Sequence, residues 1–535
     1  MSNKTKKFDL KNATTKEIIF FSLIPFGLLT IQTLIGTALN LYLTDVLGLS
    51  LALTSIILSG TKVWDAVNDP IMGMIVDKTR TKWGKCRPYL LWMAIPACLA
   101  TSFLFFPVNF GEKGNFVYVL IAYIVYYVFY TALDIPYQGL NSLVFPEDKT
   151  RVRAVSVSNV VGAVGTILPS VLFFTVAGLW GTSPEQQKKG YFGSAVIFAL
   201  MACIPIVISF FGIKEKVYIP PKKNNYFKGL KLVFSDSKMR ILTICAFFNG
   251  IVNIGAMFLP YFAKWNCIGV LPVQEISAWL SNLLGVNISI TSEGLLIPLL
   301  QIGSGISYML SMAIIPFLLK RMDKKTLWIW MSALGAIADI LTFVVGIWII
   351  PYNTAAGAIT YTILRFFTNY PVGMSLVLLI AMFSDTVDDL EMKSGERLEG
   401  TVFSFRSLVN KISIAVFNVI MLNIVGAVGY EAIKMTALTK EYTVPLITSP
   451  TVSSVINGVD YTLVLNVIFF MLSALGAIGL IGQMIPMFFY KFDEKTQEAK
   501  LIEFRAQKEL AMQAELDRLA AGETLEESVV NDYEK

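Results

Sequence analysis

The chain has 535 residues, of which 55% are apolar, 13% aromatic and only 15% charged, with a mean hydropathy of +0.62. A water-soluble fold would have too little polar surface to cover itself, and a disordered chain would hold far fewer apolar residues. A net charge of +6, not gathered into one patch, excludes a nucleic-acid binder. Histidine is absent, so no imidazole relay or triad is expected. The five cysteines (Cys86, Cys98, Cys203, Cys245 and Cys267) form no CxxC pair and read as reduced and incidental. An integral membrane protein remains.

A hydrocarbon core about 30 Å thick takes about 20 apolar residues per helix. Twelve stretches reach that length: 17–44, 51–76, 88–108, 116–145, 153–178, 191–212, 239–266, 294–319, 326–350, 355–385, 399–427 and 461–490. None shows the ten-residue alternation of barrel strands, so an all-α membrane protein is expected. The first run is too long for a signal peptide and stays as a helix.

Cations set the orientation. The tail 1–16 carries Lys4, Lys6, Lys7, Lys11 and Lys16, and basic residues then crowd alternate loops: Lys78, Arg80, Lys82, Lys85 and Arg87, later Lys149, Arg151 and Arg153, later Lys320, Arg321, Lys324 and Lys325. The positive-inside rule puts both termini of this multi-pass protein in the cytoplasm. A basic stretch, 213–238, with Pro220-Pro221, divides the spans into six-helix bundles 17–212 and 239–490, the layout of two bundles rocking about a central site. The charged segment 491–535 reads as a solvated cytoplasmic helix with an acidic end, with a docking role as the alternative.

A charge near the bilayer centre costs about 2.5–3.5 kcal/mol on insertion scales, so each one needs a reason. With Asp77 at the cytoplasmic end of the second span and a rise of about 1.5 Å per residue, Asp65 lies about 18 Å deep and Asp69 about 12 Å. The same count puts Asp134 of the fourth span about 18 Å deep and Lys411 of the eleventh about 21 Å. Independent scatter would not favour three carboxylates and one ammonium on one level. Asp65 and Asp69, four apart, share a helix face, so at least one must be protonated, paired or bound to a cation. Asn68 and Thr131 add neutral ligands, while Pro70 and Pro136 free carbonyls at that level. The structural alternative is an ion-pair cluster, Asp65 with Lys62 and Asp69 with Lys411, that only holds the bundles together.

Weaker signals surround this layer. Asp339 reaches similar depth without an obvious partner, Arg365 is expected to snorkel at the outer interface, and Arg406, about 13 Å deep, either lines the cavity or pairs with an acid. Tyr123, Tyr126, Tyr127, Tyr130 and Tyr137 fall on several faces of the fourth span, mostly as packing. Asp77 and Arg80 after the second span, and Asp385, Asp388, Glu391 and Arg397 around the tenth-to-eleventh loop, read as gate latches on the cytoplasmic side.

The block Lys62-Val-Trp-Asp65-Ala-Val-Asn-Asp69-Pro-Ile-Met-Gly73-Met-Ile-Val-Asp77-Lys-Thr-Arg80-Thr-Lys-Trp83-Gly84-Lys-Cys-Arg87-Pro88 resembles the signature of the glycoside–pentoside–hexuronide:cation symporters, the melibiose permease-like family of the major facilitator superfamily. Thr44-Asp45-Val-Leu-Gly48, Tyr130-Thr131-Ala-Leu-Asp134-Ile-Pro136 and Arg397-Leu-Glu-Gly400 leading to Lys411 add to the likeness, which covers about residues 17–490. The resemblance implies the major facilitator fold, with twelve transmembrane helices in two six-helix bundles. It also implies a sodium, lithium or proton site at Asp65, Asn68, Asp69 and Thr131, a sugar site at Asp134, and Lys411 beside the cation. Here the family's helix-1 carboxylate position holds Leu29, the aromatic after the fourth-span proline is Gln138, and the fifth-span arginine position is Asn159. A galactoside therefore fits poorly, and Gln32, Gln138, Asn159 and Asn410 are the replacement partners, with Tyr130 beside them.

The expected activity is Na⁺- or H⁺-coupled symport of a sugar or glycoside, pentosides and hexuronides included, with Lys411, Lys62 and Arg406 coupling the two ligands. No cofactor beyond the transported ion is expected, no enzyme activity, and a single chain should suffice in the inner membrane. A carrier of a lipid-like or drug-like amphiphile is the rival reading, and a non-transporting sensor using the 491–535 tail is the other.

Overall fold

The computed structural model describes residues 14–79, 81–145, 148–181, 183–216, 231, 234–267, 270–284, 292–394, 399–431, 455–456, 459–491, 500 and 503. The central loop 217–230 and most of the 491–535 tail lie outside the described residues. The described residues are helical, apart from loops and one antiparallel ribbon of two-residue strands, β1 (Val455–Ile456) and β2 (Val459–Asp460).

The first half holds α1 (Thr15–Leu34), α2 (Leu51–Lys78), α3 (Arg87–Trp92), α4 (Ala94–Phe103), α5 (Gly111–Val144), α6 (Asp148–Gly178) and α7 (Pro184–Gly212). The second holds α8 (Ser237–Ile254), α9 (Leu259–Tyr261), α10 (Val273–Leu284), α11 (Ser292–Leu318), α12 (Lys324–Val344), α13 (Ala355–Ser394), α14 (Glu399–Ala427), α15 (Tyr461–Ser473) and α16 (Leu475–Phe488). Nine described helices are long and apolar enough to cross a bilayer. The other three expected spans fall short for separate reasons. α2 carries the charges themselves, the described apolar part of α11 is only Leu296–Met312, and the third span breaks at Met93 into α3 and α4. Pro96 explains the break, because it has no N–H to give the carbonyl of Trp92.

Capping begins the helices cleanly. Thr14 and Glu17 form a reciprocal capping box on α1, and Ser183 with Gln186 does the same on α7. Small residues then let helices meet closely: a Cβ at Gly165 would come within 2.3 Å of the Phe26 carbonyl, so α6 lies directly on α1, and Thr30 Oγ1 donates to Gly165 O at 3.1 Å. α1 also packs on α7 and α2 on α5, while α8, α12, α13 and α16 pack among themselves. The halves meet chiefly where α2 lies against α14 and α6 against α11.

α1 and the α8–α9 segment lose regularity at the same end of the molecule. α1 continues through π-helical turns at Ile35–Leu39 and Tyr42–Val46. α8 passes into a 3₁₀ turn at Gly255–Phe258, then α9, then a π turn at Phe262–Asn266. Pro260, unable to donate to Ala256 O, accounts for the break in the second helix. Such turns concentrate at functional hinges.

Candidate cation and substrate site

The site grows from the contact of α2 with α14. Ser59 Oγ donates across the halves to Ala415 O at 2.8 Å, which sets α14 one turn from its charged residue. Lys411 then reaches α2: its Nζ lies 2.9 Å from Asp65 Oδ2 and also bonds Asp69 Oδ2. Asp65 is 5% exposed. Thr131 of α5 donates to Asp65 Oδ1 at 3.3 Å. Asn68 Nδ2 donates to Tyr127 O at 3.2 Å, tying α2 to α5 below the carboxylates. One turn on along α5, Gln138 Nε2 donates to Asp134 Oδ2 at 2.9 Å.

Two carboxylates share one ammonium, and a third lies close by, so the cluster keeps an excess of negative charge in a low-dielectric layer. That is expensive to hold without a further cation. Among the described residues no group of three or more His, Cys, Asp or Glu converges as a metal-ion site. The oxygens of Asp65 and Asp69 with the Thr131 hydroxyl make a weaker, harder-ligand set, and Lys411 sits in the midst of it.

Several expected residues stand elsewhere. Lys62 does not pair with Asp65; its Nζ lies 5.1 Å from the centre of the Tyr127 ring, because Lys411 already holds the carboxylate. Tyr130 stacks on Tyr126 at 5.5 Å, within the buried tyrosine row of α5. Gln32 on α1 and Asn159 on α6 are exposed, Asn410 is half-buried, and Arg406 lies over the Phe383 ring at 5.7 Å. Asp339 is buried against Gly476, and its charged neighbour is Arg365, whose Nη1 donates to Leu472 O; Arg365 turns into the bundle instead of snorkelling.

Of the expected gate latches, only Asp385, Asp388 and Glu391 have described side chains. The Asp77 side chain, Arg80 and Arg397 lie outside the described residues. Asp385 pairs with Lys324 of its own half at 2.5 Å, and Asp388 is half-buried on α13. The pairs Lys238–Asp389 and Lys393–Asp236 likewise join helices of one half. In the first half Glu215 accepts from the backbone N–H groups of Lys85, Cys86 and Arg87.

Among the described residues, a cluster of bonds between the halves lies at the opposite end. Asp45, its side chain 1% exposed, takes Lys264 Nζ at 2.7 Å, Tyr430 Oη at 2.6 Å and Trp265 Nε1 at 3.1 Å. Thr44 bonds Tyr261 Oη at 3.0 Å, and Leu51 N–H donates to Glu431 Oε1 at 2.8 Å. Burial alone would push the Asp45 carboxyl up, but the Lys264 charge and the bonds from Lys264, Tyr430 and Thr44 hold it below the usual carboxylate range. In the sequence Thr44-Asp45 stands only as part of the family likeness, because its partners across the halves are more than 200 residues away and no spacing pairs them.

Residues 20–266 and 289–494 match the family described as MFS/sugar transport protein. The chain belongs to that family and is a multi-pass membrane transporter, not an enzyme. It is 29% identical over 397 residues to a putative glycoside/cation symporter, YagG, of Escherichia coli, covering 73% of this chain and 78% of that one. It is 25% identical over 417 residues to an isoprimeverose transporter of Lactiplantibacillus pentosus (77% and 80% covered) and 26% over 403 residues to the glucuronide carrier protein homolog of E. coli (73% and 79%). Among solved structures, one of a proton-dependent oligopeptide transporter superposes with a TM-score of 0.59 at 12% identity, covering 88% of this chain and 98% of that one. The nucleoside transporter NupG gives 0.55 at 15% (90% and 100% covered), and both show the fold alone.

Proposed function

We propose that this family member carries a sugar or glycoside into the cell together with a monovalent cation, Na⁺ or H⁺. The observation that carries the reading is Lys411 bridging Asp65 and Asp69 across the two halves beside Asp134 and Gln138. On this reading both termini are cytoplasmic, the Asp45 latch faces outward, and the latched arrangement corresponds to a carrier closed to the outside. When that end opens, the cation enters between Asp65, Asp69 and Thr131 and displaces Lys411 from the pair. Asp134, freed of excess negative charge nearby, then takes sugar hydroxyls with Gln138. In the loaded site the cation and Lys411 together balance the Asp65–Asp69 pair and only Asp134 keeps its charge, bonded by sugar hydroxyls and Gln138, whereas a site without the cation would have to occlude one more bare carboxylate. Both halves of the machine lie in one chain, so a monomer transports.

The names of the relatives, a glycoside/cation symporter and an isoprimeverose transporter among them, support a sugar over an amphiphile. The test is a thermal-shift screen of purified carrier against glycosides, pentosides and hexuronides, with and without Na⁺ and at two pH values. A sugar whose stabilisation grows with Na⁺ or with acid supports the proposal; stabilisation by alkyl amphiphiles alone refutes it.

A further inference from the structure

Beneath the latch the structure buries polar groups that no other protein group satisfies. Asn40 is 4% exposed, and neither its Oδ1 nor its Nδ2 has a hydrogen-bond partner; Thr54 Oγ1 and Asn418 Oδ1 are in the same condition. A group of this kind is normally satisfied or replaced by an apolar one, so three in one region call for an explanation.

Their positions supply it. Asn40 stands one turn before Thr44, which bonds Tyr261 of the other half. Thr54 stands beside Ser55, which accepts from Asn423, and one turn in from Leu51. Asn418 lies along α14 between Ala415, whose carbonyl takes Ser59, and Asn423. Each of the three thus stands within about a turn of a residue that bonds across the halves, at a level between the Asp45 latch and the Lys411 layer. The helices on both sides are irregular here, and the π turn Ile35–Leu39 packs on the 3₁₀ turn Gly255–Phe258 of the other half. A seam whose described closure is the Lys264–Asp45 pair with a few hydrogen bonds, backed by hinge-prone turns, is built to part.

We propose that Asn40, Thr54 and Asn418 form an outer subsite for the hydroxyl groups of the transported sugar, hidden here and exposed when the Asp45 latch releases. The inference rests on the sugar-transport reading for its ligand. Two carboxamides and a hydroxyl both donate and accept, and none is charged, so they suit neutral polyol hydroxyls and not a carboxylate or an ion. In the closed arrangement no protein group partners them; in the open one, water and then sugar do.

The five native cysteines are buried, which makes thiol labelling a clean readout. Full-length Asn40→Cys in right-side-out membrane vesicles is treated with the membrane-impermeant reagent MTSET, with isoprimeverose and methyl glucuronide as protecting probes. Labelling from outside is expected. It should rise several-fold when Lys264→Ala is added, and fall several-fold with whichever probe the native carrier takes up. Asn418→Cys repeats the test, so misfolding of one variant does not decide it. No labelling of either variant in either background overturns the opening seam. Labelling that a transported probe leaves unchanged overturns the subsite. If native carrier takes up neither probe, the sugar reading of both probes has failed and the subsite for them with it, while labelling still reports whether the seam opens.

Discussion

Among the described residues, the two ends of this carrier are held by different kinds of bond. At the latched end the bonds run between halves: Asp45 with Lys264, Trp265 and Tyr430, Thr44 with Tyr261, Leu51 with Glu431. At the basic end the pairs described, Lys324–Asp385, Lys238–Asp389 and Lys393–Asp236, stay inside one half. The first kind fixes how the halves sit against each other, and the second only stiffens a half as a rigid body. Rocking transport needs both, a stiff body and a breakable seam. The Asp65–Lys411–Asp69 layer lies between the ends and joins the halves too, through the bond that the proposed cation would exchange.

The largest effect is expected in that middle layer. Asp69→Cys should abolish concentrative uptake while exchange of sugar across the membrane persists, read as accumulation against equilibration of labelled sugar in cells; undiminished accumulation would separate the layer from the driving force. Next comes the seam. Lys264→Ala leaves Asp45 buried and unpaired, a loss of about 3–5 kcal/mol for the closed end. That shifts the balance toward opening by about 100-fold or more, visible as a longer distance between spin labels flanking the latch. An unchanged distance would mean that apolar packing, not the ion pair, holds that end.

Acid should act on the seam third. The Asp45 carboxyl is held below its ordinary value, so its contribution is fully present above an unfolded value of about 3.9 and is lost as pH falls through the lower folded one. The same spin-label distance should stay constant from pH 8 to pH 5 and lengthen only in stronger acid. Lengthening already near neutrality would assign the closure to a different group. Smallest is the basic end: Lys324→Ala breaks a partly exposed pair inside one half, worth less than about 1 kcal/mol. Melting and inter-half distance should barely move, and a large change in that distance would show that the pair acts between halves after all.

Much of the middle layer was legible before any coordinates. Hydropathy and helical rise place Asp65, Asp69, Asp134 and Lys411 at one depth because rise is local geometry. The i, i+4 spacing of Asp65 and Asp69 puts them on one face for the same reason. The Met93 break was legible too, in Pro96, but length alone hid it. What spacing cannot give is competition and distance. Lys62 and Lys411 both had a claim on the Asp65–Asp69 pair, and only the packing of α14 on α2 decides that Lys411 wins while Lys62 turns to Tyr127. Asp45 and Lys264 are 219 positions apart on different halves, so the latch emerges only when the bundles are docked.

The central claim is that cation and sugar move together because the carboxylate pair on α2 must be neutralised before the loaded carrier can close. Proteoliposomes given an inward gradient of a transported sugar test it directly, with entry of ²²Na⁺ or of protons followed in native carrier and in Asp69→Cys. Native carrier should draw one of the two cations in with the sugar, and the variant should draw in neither. Sugar entry without any cation in the native protein, or equal cation entry in the variant, would contradict the account.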